Sequence, residues 1–222
     1  MSLVPVTLLV VAKAPVPGQA KTRLAATVGD RVAAQIAAAA LLDTLEAVAA
    51  TSVATRVVAL TGELDAAADA AEIRRRLASF AVIDQRGNDF GDRLANAHVD
   101  AAAVDGLPVL QIGMDTPQVT ADLLGDCARR LAESTAVLGF ARDGGWWALG
   151  VHTPGLAECL RDVPMSQPDT GALTLKSLRS NGVGVTLLDE LADFDVAEDV
   201  AAVRERCRPG SRFAQVTRAA GL

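Results

Sequence analysis

The chain has no tyrosine and, among its 222 residues, only five phenylalanines and two tryptophans. So few aromatics rule out an extended surface on which nucleic-acid bases could stack. Positive charge is also in short supply, with 21 Lys and Arg against 27 Asp and Glu and a net charge of −6. That field repels nucleic acid and anionic membranes, so any phosphate binding must be local. Cys127, Cys159 and Cys207 are odd in number and widely spaced. They form neither a disulfide framework nor a zinc spacing, which leads us to expect reduced thiols in a cytoplasm. The two histidines, His98 and His152, have no triad partners in pattern, and both read as structural, His98 on a surface helix. Neither G-x-G-x-x-G nor a Walker A loop occurs; the latter needs glycines where Pro15 and Ala20 stand. A dinucleotide oxidoreductase is therefore disfavoured. The apolar start "MSLVPVTLLVVA" has no basic segment before it and reads as a buried strand rather than a signal peptide. In the long apolar run over residues 32–50, Gln35, Asp43 and Glu46 break the pattern. A packed helix is expected there, and no membrane insertion.

Half of the residues are hydrophobic, enough for a sizeable core. Short apolar runs alternate with helical patterns, without repeats or long linkers. Strands are predicted at Thr7–Ala12, Thr55–Leu60, Ala81–Gln85, Pro108–Gly113, Thr135–Phe140, Trp146–Val151 and Val183–Leu188. Helices are predicted near 29–50, 65–79, 91–104, 119–133, 170–181 and 196–207. The alternation implies one α/β domain over residues 1–208, a mostly parallel sheet covered by helices on both faces, followed by a tail at 209–222. Ligands of such sheets lie beyond the carboxyl ends of the strands, so the segments after each strand carry the information.

Of only three lysines, Lys13 and Lys21 fall in the first of these segments, "AKAPVPGQAKTRL", with Arg23 just behind. A loop with Gly18 that runs into a helix can aim N–H groups at an anion, and the cations add charge-assisted contacts. The plain alternative is a solubilising turn. In "QRGNDFGDRLANAH", Gly87 and Gly91 allow close backbone approach and Arg93 can reach a ligand; equally, Asp89 or Asp92 can simply cap a helix. In "LQIGMDTPQVT", Asp115 ends a buried run, a place suited to a Mg²⁺ ligand. Thr116, Pro117 and Thr120 already supply a turn and a cap. Asp143, Gly144 and Gly145 form a hairpin signal before Trp146 and Trp147, one of which can face the core and the other the cleft. Asp193, Asp195 and Asp199 open the last predicted helix, as dipole-favouring acids or as a second metal carboxylate.

Taken in order, "AKAPVPGQAKTRL", "IGMDTP", "DGGWWALG" and "DFDVAED" resemble a family of small bacterial proteins with the GT-A fold of nucleotide-diphospho-sugar transferases, often labelled glycosyltransferase-like. The layout is also similar to small nucleotidyltransferases such as the phospholactate guanylyltransferases. The resemblance spans about residues 7–205. It implies a three-layer α/β/α fold with a mixed, mostly parallel sheet. It implies phosphate binding by Lys13, Lys21 and Arg23, and Mg²⁺ or Mn²⁺ on Asp115 and Asp195. The family's D-T-P-E-D pattern reads "DVAED" here, with Val196 and Ala197 in place of threonine and proline.

The reading that follows is nucleotidyl transfer from an NTP to a small phosphorylated or carboxylated acceptor, with pyrophosphate release. Lys21, Arg23 and Asp115 are its catalytic residues. Gly18, Arg93, Asp143, Gly144 and Gly145 join Lys13 around the nucleotide. Such an acceptor is already ionised, so no general base is required. Sugar transfer from a nucleotide sugar is the alternative. It usually shows a paired D-x-D, where this chain reads "GMD", and needs a base, for which Asp143 is available. A non-catalytic nucleotide-binding module is the third.

Overall fold

The computed structural model describes residues 3–222; Met1 and Ser2, at the head of the first apolar run, lie outside the described residues. Among the described residues seven strands form one sheet: β1 Val4–Lys13, β2 Val53–Thr61, β3 Ala81–Asp84, β4 Val109–Gly113, β5 Ala136–Ala141, β6 Trp146–Val151 and β7 Val185–Leu191. Their order is β3-β2-β1-β4-β6-β5-β7. β1 pairs in parallel with β2 and β4, β2 with β3, and β5 with β7. Only β6 runs against its neighbours β4 and β5. The other six strands therefore end on one edge of the sheet, where the segments after β1, β4, β5 and β7 gather. The order reverses at β1, with β2 on one side and β4 on the other, which opens a crevice at that edge.

Both faces are covered, which is why the central strands read as unbroken apolar runs rather than alternating ones. Leu8 and Val10 of β1 face one layer, α2 Asp30–Ala50, α3 Ala70–Leu77 and α5 Ala121–Ala132, and meet Leu41, Ile73 and Leu124 there. Leu9 and Val11 face the other layer, α4 Phe90–Ala102, a 3₁₀ segment Pro154–Asp162 and α6 Thr170–Ser180, and meet Leu94, Leu160 and Leu178. α2 alone among the described residues is long and apolar enough to cross a membrane by length and composition, and 67% of its apolar stretch is buried inside the fold. Its fully buried Ala33, Ala34, Ala37 and Ala38 let neighbours approach closely, as expected of a packed helix.

A third cluster joins α1 Thr22–Val28, α2, α7 Ala197–Arg206 and α8 Arg212–Ala219 around Leu24, Ile36, Phe194 and Phe213. The rings of Phe194 and Phe213 stand 4.8 Å apart. The Asp43 carboxylate accepts the N–H groups of Arg212 (3.1 Å) and Phe213 (2.8 Å), capping α8 from the side of α2. Within the segment expected as a tail, residues 209–222, Arg212–Ala219 form this helix, packed on α2. Neither α1 nor the 3₁₀ segment was expected, and the helix predicted over 65–79 divides into a short 3₁₀ turn, Leu64–Ala66, and α3. His98 corrects another expectation. It lies on the covered side of α4, fully buried, with no partner among the described residues for either ring nitrogen, and burial depresses its pKa to about 3.

Candidate active site

Beyond Lys13 the chain turns through an exposed tip at Gly18 (φ 77°) and enters α1 just after Lys21. Lys21 has φ 50° and ψ 50°, the left-handed region that a long L side chain rarely occupies. That backbone directs its ammonium inward. Nζ lies 3.1 Å from Asp115 Oδ2 and 3.7 Å from Asp195 Oδ1, donates to Phe194 O, and sits 4.4 Å from the centroid of the Phe194 ring. The Lys21 side chain is 11% exposed and the two aspartates 39% each. Arg23 Nη1 adds a 2.9 Å contact to Asp195 Oδ2 from a side chain that is 73% exposed. Lys13 stands apart at the rim, its ammonium donating to Gln19 O at 2.8 Å.

The carboxylates come from three strand ends. Asp115 follows β4 and is spared from helix capping, because Thr120 accepts the Leu123 N–H and caps α5. Asp195 follows β7 on a turn held by Asp199, whose Oδ2 accepts the N–H groups of Asp195 (3.0 Å) and Val196 (3.1 Å). Asp199 thereby anchors the turn without the threonine and proline of the related pattern. Gln118 donates to Ala192 O and ties this turn to the segment after β4. Asp193 also lines the cleft. Burial pushes its pKa up to about 6, helped by Asp143 and Asp115 and opposed by Lys21. Asp143 lies at the mouth, its Oδ1 accepting the Gly145 N–H at 2.8 Å. The next glycine, Gly144, docks on the loop before α6. A Cβ on Gly144 (φ 91°) would fall 1.8 Å from Pro168 O, and Gly171 N donates to Gly144 O at 2.9 Å.

The cleft, about 750 Å³, continues from this cluster over the α4 side of the sheet. Gln85, Phe90, Arg93, Gln111, Thr116 and Trp146 line it there. Gln85 Nε2 donates to Ala12 O and Ala59 O, fixing the ends of β1 and β2. Trp147 turns into the core and donates Nε1–H to Asp189 O at 2.9 Å, and Trp146 is the half-buried partner toward the cleft. Asp89 caps α4 through the Asp92 N–H, as the capping alternative had it. Gly87 and Gly91 approach the protein itself: a Cβ would lie 2.6 Å from Asp92 Cβ and 2.5 Å from Leu160 O, respectively. Sequence reasoning passed over Gln111, whose signal is a polar residue inside the apolar run "PVLQIG".

Among the described residues no three His, Cys, Asp or Glu side chains form a ready-made metal cage. The donors that do converge, Asp115 and Asp195, are hard, half-exposed carboxylates. They fit an ion such as Mg²⁺ or Mn²⁺, which takes one or two protein carboxylates and completes its shell with water and substrate phosphates.

The family described as "Uncharacterized protein conserved in bacteria (DUF2064)" matches residues 44–167, more than half of the chain. No curated protein matches significantly. A candidate nucleotide-diphospho-sugar transferase from Desulfovibrio desulfuricans G20 superposes with a TM-score of 0.83 at 22% identity, over 99% of this chain and 95% of its own. A nucleotidyl transferase from Methanothermobacter thermautotrophicus gives 0.56 at 18% identity, over 95% and 98%. Rv0371c from Mycobacterium tuberculosis, in complex with manganese, gives 0.53 at 17% identity, over 90% and 97%. The fold is the three-layer, nucleotide-diphospho-sugar transferase-like one that the resemblance implied.

Proposed function

We propose that this chain, which belongs to the DUF2064 family of bacterial proteins, is a metal-dependent nucleotidyltransferase that uses an NTP and a small anionic acceptor. The observation that carries the reading is the convergence of Lys21, Arg23, Asp115 and Asp195, from three distant segments, at the switch point of the sheet. In the proposed reaction an acceptor oxygen forms a bond to the α-phosphorus, the bond to the β-phosphate bridging oxygen breaks, and pyrophosphate leaves. Lys21 and Arg23 hold the leaving phosphates and offset their growing charge. Asp115 and Asp195 would hold Mg²⁺ or Mn²⁺, which supplies charge neutralisation on the phosphate oxygens. The turn fixed by Asp199 keeps Asp195 in place during this exchange. Fold likeness to a nucleotidyl transferase and to a manganese-bound protein supports the reading.

The test is pyrophosphate release from ATP, GTP, CTP and UTP with Mg²⁺ or Mn²⁺ and pooled phosphorylated metabolites. Release with one NTP, lost in Asp115→Ala while that variant keeps its melting transition, is the expected result. Unchanged metal-dependent nucleotide affinity in Asp115→Ala would sink the metal assignment. A second reading, sugar transfer from a nucleotide sugar, draws on the likeness to the Desulfovibrio protein. It takes over if one nucleotide sugar stabilises the protein with metal and no NTP releases pyrophosphate.

A further inference from the structure

The four groups assigned to phosphates and metal satisfy one another. Lys21 Nζ and Arg23 Nη1 between them contact Asp115 Oδ2 (3.1 Å), Asp195 Oδ1 (3.7 Å) and Asp195 Oδ2 (2.9 Å). An ion shared by the two aspartates needs oxygens that these cations hold. The cations are anchored unequally. Arg23 is 73% exposed and pairs with one carboxylate. Lys21 is 11% exposed and meets both carboxylates. It also donates to Phe194 O and lies against the Phe194 ring, which is fully buried in the third cluster. Its backbone stays in the left-handed region to reach this position. A surface lysine that pairs by chance has no such anchoring. The two cations and two carboxylates sum to zero charge. A bare divalent ion entering the cluster meets the Lys21 ammonium, a like charge in a part-buried place where water screens poorly. A bare triphosphate meets the like charge of Asp115 and Asp195. An ion and a triphosphate arriving together meet neither obstacle. The carboxylates pass to the ion and the ammonium and guanidinium to the phosphates, so every charge changes partner and none is left alone.

We infer that Lys21 sets which form of the substrate the site accepts. It bars free divalent ions from Asp115 and Asp195, and it yields the carboxylates to an ion that comes with a triphosphate. That the releasing partner is a triphosphate rests on the nucleotidyltransferase reading; the bar against free ions rests on the contacts of Lys21 alone. Metal and nucleotide then bind with positive coupling, each raising the affinity for the other.

The experiment titrates the full chain with Mn²⁺ alone, the free ion being counted by electron paramagnetic resonance. Lys21→Ala binds Mn²⁺ more tightly than the wild type by about tenfold or more. Asp115→Ala, added to Lys21→Ala, removes that gain. Lys13→Ala deletes the same charge at the rim of the cleft and gains no more than about twofold, because solvent and salt screen it. Lys21→Gly, which relieves the backbone, keeps the test open if Lys21→Ala does not fold. The inference is overturned if the wild type binds Mn²⁺ as tightly as Lys21→Ala, if neither binds it, if Lys13→Ala gains as much, or if the gain survives Asp115→Ala. The coupling is read from melting shifts with the α,β-methylene analogues of ATP, GTP, CTP and UTP. In the wild type, Mn²⁺ and the analogue that binds together raise the melting temperature by more than the sum of their separate shifts; additive shifts overturn the exchange of partners. If no analogue binds while Lys21→Ala still gains its Mn²⁺ site, the nucleotidyltransferase reading falls and the bar against free ions stands.

Discussion

Lys21 pays a backbone penalty in order to aim its ammonium, and that penalty is measurable. An L residue in the left-handed region loses about 1–2 kcal/mol relative to a right-handed conformation, whereas glycine loses almost nothing. Lys21→Ala and Lys21→Gly both delete the ammonium and its contacts to Asp115, Asp195 and Phe194. They differ in the backbone alone. In an ordinary loop Gly is about 0.4–1 kcal/mol worse than Ala, because its unfolded chain is freer. At φ 50° and ψ 50° the order should invert, with Gly ahead by about 0.5–1 kcal/mol. For a chain of this size that is a melting difference of roughly 1–4 °C. The abandoned carboxylates are 39% exposed, so solvent screens much of the cost of losing Lys21, and both variants should remain folded. Urea and thermal denaturation at neutral pH and fixed ionic strength make the comparison. An Ala variant as stable as the Gly variant, or more so, refutes the claim that strain is held at this residue. The same proteins test its role: both should weaken triphosphate binding more than monophosphate binding, and equal losses would remove the phosphate-loop assignment.

Burial keeps His98 neutral in the native state, with a pKa near 3 against about 6.5 unfolded, so the unfolded chain binds the extra proton between those values. Its contribution to stability is therefore intact above pH 6.5 and falls as pH drops toward 3, by about 2 kcal/mol at pH 5. His98→Leu should flatten the urea-denaturation difference between pH 7.5 and pH 5 by that amount, and matching slopes in the two proteins would count against it. Asp199→Ala removes the acceptor for two N–H groups and should cost about 1–2 kcal/mol. It should also weaken metal-dependent nucleotide stabilisation, with Asp199→Asn recovering part of both; nucleotide stabilisation equal to wild type would show that Asp195 holds its place without it. Gly144→Ala places a methyl 1.8 Å from Pro168 O at a positive φ. Displacement of the rim loop, read as a loss of about 2 kcal/mol or more in denaturation and as faster proteolysis around residues 164–169, is expected. Wild-type behaviour in both assays would mean that the turn does not support the loop.

The strands were legible in the sequence because a strand buried on both faces must be apolar throughout, and "TLLVVA", "VLQIG" and "WWALGV" say so without help from context. The cationic loop was legible from the rarity of lysine, and Asp115 from its place at the end of a buried run. Other features depended on tertiary structure. α1 is only seven residues long and follows directly on the Lys21 loop, and its single buried residue, Leu24, gives no period to read. α8 carries arginines at both ends, and only its packing on α2 through Phe213 and Asp43 shows that the last residues belong to the core. Whether His98 met solvent or the interior depended on what packs against α4, which local sequence does not show. The division of labour among Asp193, Asp195 and Asp199 required the fold for the same reason. A sequence displays three acids and their spacing, but which one receives N–H hydrogen bonds, which one is desolvated and which one meets an ammonium is set by groups brought from other strand ends. Local chemistry thus determined the elements and the stock of reactive side chains, and long-range packing decided which of those side chains share a site.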